Sequence, residues 1–125
     1  MATISPYLTV DDGPAALEFY AQAFGAEVVE RYDDGDQVAH ATLRVGDAVF
    51  FVSSEFPGLG AVAPATVGAS TVAVVLTVPD ADAVYAAAVL AGARADRPVA
   101  TDGGGTRSGW LVDPSGHRWN VRGAP

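Results

Sequence analysis

The chain has 125 residues, enough for one domain that buries a core without disulfide or metal staples. It has no cysteine, and its seven basic residues are all arginine. Disulfides, thiolate metal sites, cysteine nucleophiles, Schiff-base lysines and the phosphate-loop lysine are therefore excluded. Fifteen Asp and Glu set the net charge at −8, which would repel a nucleic-acid backbone. No apolar run approaches the roughly 18 residues that cross a bilayer, and the N-terminus lacks the pattern of a signal peptide. These features predict a soluble, cytoplasmic protein with neither a nucleic-acid nor a membrane partner. Abundant Ala, Gly, Val, Asp and Arg without Lys suggest a GC-rich bacterial genome.

In chain order, Ile4–Val10 has the alternation of a strand. Asp12 is placed to cap a helix over Gly13–Phe24, with Ala16, Phe19, Tyr20 and Phe24 on one face and Gly25-Ala26 as its stop. Strands follow at Glu27–Tyr32, Val38–Val45 and Ala48–Ser53. Glu55–Ser70, rich in Gly, Pro and Ala, is predicted to be a linker. A strand at Thr71–Val78 leads to a second helix, Ala81–Ala91, with Asp80 as its cap and Gly92-Ala93 as its stop. Strands at Ala95–Ala100, Thr106–Val112 and His117–Arg122 complete the chain.

The order strand, helix, three strands thus occurs twice. Leu8-Thr9-Val10 returns as Leu76-Thr77-Val78, and Asp12 as Asp80, 68 residues on; Gly46 returns as Gly116, 70 on. Two copies are too few for a solenoid, so the repeat predicts a single α+β domain of two tandem βαβββ modules. The modules are expected at about residues 1–54 and 71–125, with the linker at 55–70.

Alternation also sorts the side chains of each strand between two faces. Leu8 and Val10 belong to the core and leave Ser5, Tyr7 and Thr9 opposite; Leu43 and Val45 leave His40, Thr42 and Arg44. Trp119 and Val121 leave Arg118, Asn120 and Arg122. An offset of 70 pairs His40 with Trp110 and Phe50 with Asn120, so Phe50, Ser108 and Trp110 are expected on the same face. Its aromatic and sparsely polar make-up is that of a small-molecule site. Trp110 reads equally as a ligand platform and as a core residue. His40 reads as a proton-transfer group or as a histidine satisfied by the backbone. His117, just after the Asp113-Pro114-Ser115-Gly116 turn, and Asp113 itself read as structural.

Other signals are weaker. Asp102–Thr106, with three glycines, lacks the lysine and helix of a phosphate loop and is expected to be a flexible hairpin or lid. Asp33–Asp36 lacks the later glutamate of a calcium loop and reads as a solvated turn. No nucleophile elbow occurs. Arg107 could clamp an anion or pair with Asp102 or Asp113.

The segments PYLTVDD (Pro6–Asp12), AALEFYAQAFGAEV (Ala15–Val28), HATLRVGDAVFFVSSEFP (His40–Pro57) and TRSGWLVDPSGHRWNV (Thr106–Val121) resemble the vicinal-oxygen-chelate superfamily. That superfamily includes glyoxalases, bleomycin-resistance proteins and extradiol dioxygenases. The FY-x3-FGA and DPxGHxW segments look like its PhnB-like branch. The resemblance implies curved sheets forming a cleft, helices outside, and a homodimer. It also places the metal ligands of metal-dependent members at Ser5, Phe50, Ala73 and Asn120, which offer no imidazole or carboxylate. No metal and no other cofactor is expected, although a one-residue slip that brings in Glu55 or His40 leaves a non-standard metal site open.

Three readings follow. The first is a metal-independent protein that binds an aromatic or cationic compound through Tyr7, His40, Phe50, Ser108, Trp110, Arg118 and Asn120. The second is an enzyme (lyase, isomerase or dioxygenase) in which His40 is catalytic. The third is a dimeric structural or regulatory module without a dedicated ligand.

Overall fold

Each long helix begins where an aspartate can accept from the backbone just ahead of it. In the computed structural model, which describes residues 1–124, Asp12 accepts from Ala15 N and Asp80 from Ala83 N, both at 3.1 Å. They cap Gly13–Phe24 (α1) and Ala81–Leu90 (α3); a one-turn helix, α2, lies between them at Pro64–Val67. Gly25 closes α1 in the left-handed region, at φ 68°, with Ala26 N donating back to Tyr20 O. The second helix stops one residue earlier than expected. Ala91 is its cap, and Gly92, at φ 123°, turns the chain away.

The strands form two four-stranded sheets. The first contains β1 (Tyr7–Val10), β2 (Glu27–Asp34), β3 (Gln37–Val45) and β4 (Ala48–Ser54), in the order β1-β4-β3-β2. The second contains β5 (Ala73–Val78), β6 (Arg94–Thr101), β7 (Arg107–Val112) and β8 (Arg118–Gly123), in the order β5-β8-β7-β6. In each sheet the first strand runs parallel to the last and the other pairings are antiparallel. The chain is thus an α+β fold of two tandem βαβββ modules, as the repeat predicts.

Differences from the expected elements have local causes. The first strand starts at Tyr7 because Pro6 has no N–H for the ladder; its carbonyl still accepts from Phe51 N. The edge strands β2 and β6 run longer than their patterns suggest, since nearly all of their side chains are exposed and period-two alternation fades. The stretch 55–70 holds a 3-10 turn, Pro57–Leu59, as well as α2. Glu55 Oε2 accepts from Ala63 N at 2.8 Å, and Ala65 N donates to Ser115 O at 2.9 Å, docking this crossing on the second module. Gly116 is required there. It sits at φ 91°, and a Cβ would come within 2.7 Å of Ala65 N.

The two long helices, α1 and α3, each cover one face of their own sheet and pack on each other. Val10, Val38, Leu43, Val52, Leu111 and Val121 are fully buried between them. Trp119 of the second module reaches the aromatic cluster of the first, with its ring 4.6 Å from Phe24 and 5.8 Å from Tyr20. At this junction the buried Asp113 carboxylate accepts four hydrogen bonds. Oδ2 takes Tyr20 Oη at 2.5 Å and Trp119 Nε1 at 2.9 Å; Oδ1 takes the backbone N–H of Ser115 and of His117, both at 3.0 Å. His117 Nε2 donates across the modules to Thr9 O at 2.7 Å. No helix among the described residues is long and apolar enough to cross a membrane.

Asp113→Ala leaves buried donors unpaired and is expected to cost about 3 kcal/mol or more, read by urea unfolding. Burial, and then the Asp113 charge, push the Tyr20 hydroxyl well above its ordinary 10.0, so the fold holds the neutral phenol. That contribution is complete below pH 10 and is lost as pH rises beyond it. Tyr20→Phe should flatten the alkaline fall in stability.

Candidate functional site

The face of the first sheet turned away from α1 carries a cluster of rings. Parallel pairing sets Tyr7 beside Phe51, and antiparallel pairing sets Thr42 beside Phe51 and Tyr32 beside His40. The Tyr7 and Phe51 rings are 5.5 Å apart, as are those of His40 and Phe51, and Tyr32 lies 6.2 Å from His40. The Tyr7 hydroxyl and His40 Nδ1 are 2.8 Å apart. His40 Nε2 is 3.1 Å from Thr42 Oγ1 and 3.8 Å from Glu30 Oε1. The proton placement that serves both sides puts N–H on Nε2, beside the carboxylate, and lets Nδ1 accept from Tyr7. His40 is thus oriented on both nitrogens and keeps part of its ring in solvent.

Phe50 is not in this cluster. It is 6% exposed, turned to the helix side, and edge-on to Tyr20 at 5.3 Å and to Trp119 at 5.9 Å. The β1–β4 register brings Phe51 to the open face, one residue from the sequence expectation. A one-residue shift in a strand exchanges the faces. In Phe50-Phe51 both residues suit either side.

The corresponding face of the second sheet gathers the remaining candidates. Trp110 pairs with Asn120 as Thr42 pairs with Phe51, so Trp110 corresponds to Thr42 rather than to His40. Two guanidiniums approach its indole, Arg97 at 5.2 Å and Arg118 at 4.9 Å from the ring centroid. Tyr85 of α3 donates to Trp110 O at 2.9 Å and fixes the strand from beneath. Asn120 is buried, and its amide donates to Ser108 Oγ and Gly109 O, both at 3.2 Å. Arg97 and Tyr32 have no signal in single-strand alternation. They lie on exposed edge strands and join the site only through pairing.

Between β1 and β5, which do not pair, two cavities open. One, of about 740 Å³, is lined by Tyr7, Thr9, Val72, Ala73, Val75 and His117. The other, of about 380 Å³, is lined by Ser5, Pro6, Phe50, Val74, Leu76 and Trp119. The structure thus gathers Tyr7 with His40, and Ser108, Arg118 and Asn120 with Trp110, as two groups on two sheets.

The donor set does not fit a divalent metal. Cleft positions of the first and last strands in the two modules hold Tyr7, Phe51, Val75 and Asn120, with Ser5 and Ala73 two residues before Tyr7 and Val75. Among the described residues, no group of three or more His, Asp or Glu stands close enough to hold an ion. Arg107 pairs with neither Asp102 nor Asp113. It takes Asp82 with two nitrogens, at 2.6 and 3.2 Å, which holds that carboxyl below its ordinary range and raises the guanidinium. The glycine-rich turn is drawn together by Asp102, whose Oδ1 accepts from Gly104 N and Thr106 N at 2.9 Å.

The sequence profile of the Glyoxalase/Bleomycin resistance protein/Dioxygenase superfamily matches residues 2–121. An uncharacterized protein of Mycobacterium bovis is 34% identical over 122 residues, 94% of this chain and 80% of that protein. Among solved structures, TioX from Micromonospora sp. ML1 superposes with a TM-score of 0.75 at 20% identity, over 98% of both chains. A bleomycin-binding protein complexed with bleomycin superposes with a TM-score of 0.69 at 20% identity, over 100% of both. At these identities the structural likeness shows the fold.

The register at Phe50-Phe51 can be tested by truncation. Phe50→Ala empties a core site and is expected to cost roughly 3–5 kcal/mol. Phe51→Ala, on the open face, should cost far less. Equal losses in denaturant unfolding would mean that the register is wrong.

Proposed function

The chain belongs to the Glyoxalase/Bleomycin resistance protein/Dioxygenase superfamily, and from that premise we propose that it is a metal-independent, small-molecule-binding protein that takes up an aromatic or cationic compound. The observation that carries this reading is the open cluster of Tyr7, Tyr32, His40 and Phe51, which presents ring faces and edges without a metal-ligating set. Glu30 beside His40 and the net charge of −8 add attraction for a cation. A neighbour of the same fold binds bleomycin, which supports small-molecule capture as the role. The PhnB-like branch, supported by FY-x3-FGA and DPxGHxW, and a cytoplasmic location in a bacterium belong to the same proposal.

We also propose a homodimer. Half of the residues are hydrophobic, and Ile4, Leu59 and Leu90, outside both open sheet faces, are exposed large apolar side chains that a second copy would cover. Sedimentation at micromolar concentration is expected to show the dimer, and a monomer alone would count against it.

One observation favours a second reading, in which His40 is catalytic: it is within hydrogen-bond reach of Tyr7 and stands beside Glu30, so it could pass a proton to or from a bound molecule.

Calorimetry with benzyltrimethylammonium as the probe, together with metal analysis of protein purified without chelator, tests the first reading. Ring contacts of about 0.5–2 kcal/mol each imply that Tyr7→Ala and Phe51→Ala each weaken the probe about 2- to 30-fold. One tightly held equivalent of transition metal per chain would overturn it. Turnover of a substrate abolished by His40→Gln, without loss of binding, would establish the second.

A further inference from the structure

Of the seven arginines, four are paired with carboxylates: Arg31 with Asp33, Arg44 with Glu27, Arg107 with Asp82 and Arg122 with Asp102. The other three, Arg94, Arg97 and Arg118, have no ion pair among the described residues, in a chain with fifteen acidic side chains. These three are neighbours. Val112 pairs with Arg94 on one side and Arg118 on the other, so Arg94, Val112 and Arg118 form a row across β6, β7 and β8. Arg97 and Trp110 form the next row on the same face.

A register shift makes this possible. Arg94 and Arg97 are three residues apart and would point to opposite faces of a regular strand. The irregularity between Ala95 and Arg97 sets three steps of β6 against two of β7, from Val112 to Trp110. Both arginines are thereby aimed the same way. Trp110 then takes a guanidinium from each neighbouring strand, Arg97 at 5.2 Å and Arg118 at 4.9 Å. Held beside one indole, the two cations repel each other. Asp96 lines a groove with Arg94 and Arg118, walled on its other side by Pro64, Gly68 and Ser70 of the crossing segment, but makes no ion pair with either arginine. Beyond the cations the rows continue into β5 as Ala73 and the exposed Val75, an apolar strip.

We propose that this face of the second module is an anion site for a carboxylate carried on a flat apolar body. The carboxylate is drawn to the Arg97 and Arg118 guanidiniums beside the indole, and Arg94 adds charge from the edge. The body lies over the apolar strip of Ala73 and Val75. Trp110 is a positioning residue: its ring is engaged by the two guanidiniums and sets their spacing. This site goes beyond the aromatic face of the first module, has the opposite charge preference, and does not depend on what that face holds.

The test is calorimetry with 2-naphthoate and its neutral analogue 2-naphthamide. Naphthoate is expected to bind, more weakly as salt is raised, while naphthamide binds far less. Arg97→Gln/Arg118→Gln should lose about tenfold or more in naphthoate affinity, the scale of a lost charge-assisted hydrogen bond. Arg107→Gln removes the same charge from a paired arginine elsewhere and should leave the affinity unchanged. Trp110→Leu keeps both arginines but not the indole, and is expected to weaken naphthoate less than the double variant does. The proposal is overturned if naphthamide binds as well as naphthoate, if the double variant keeps full affinity, or if naphthoate does not bind at millimolar concentration. Benzyltrimethylammonium, measured on the same proteins, separates the two sites. If it binds the double variant unchanged while wild type ignores naphthoate, only the anion site fails. If it never binds while naphthoate binds through Arg97 and Arg118, only the aromatic-face reading fails.

Discussion

Four protons converge on the Asp113 carboxylate, and they come from both halves of the molecule. Tyr20 belongs to α1, Trp119 to β8, and Ser115 and His117 to the turn between β7 and β8. A buried carboxylate so fully solvated by donors behaves as a joint: none of its partners can move without stranding another. The turn that it holds also places His117 against Thr9 O in the first module and Ser115 O against Ala65 N in the crossing segment. One side chain therefore ties together α1, the β7–β8 turn and β8, and through that turn the first module and the crossing segment.

The two modules keep the same core and differ on the opposite face. Leu8 and Leu76, Val10 and Val78, and Asp12 and Asp80 occupy matching places. On the open side, one sheet presents Tyr7, Tyr32, His40 and Phe51 with Glu30, and the other presents Arg97 and Arg118 around Trp110, with Arg94 beside Val112. Packing constrains the first set of positions, since changing a buried side chain costs kilocalories. Side chains on the open face pay only for their own neighbours and are free to diverge in charge.

The parts legible from the sequence were those with local causes. Both aspartate caps, the Gly25 stop, the order of the strands and the division into modules follow from short-range signals and from the repeat. The placing of Tyr7 and His40 together followed from alternation within β1 and β3. What alternation could not supply was pairing between strands. The parallel β1–β4 register exchanges Phe50 for Phe51, and the antiparallel β7–β8 register matches Trp110 with Thr42 instead of His40. Arg97 was invisible for a further reason: the irregularity in β6 breaks the period that would have placed it. The pairing of Arg107 with Asp82 joins β7 to the first turn of α3, a contact that no spacing along the chain announces.

The two tryptophans stand in opposite surroundings. Trp119 is 2% exposed and gives its N–H to a carboxylate, among Phe24, Tyr20 and Phe50. Trp110 lies partly in solvent under two guanidiniums. One indole therefore sits in the joint between the modules and the other on the charged face. Trp110→Phe leaves the joint untouched, so the remaining indole would report on the closing of the core alone, without an added label.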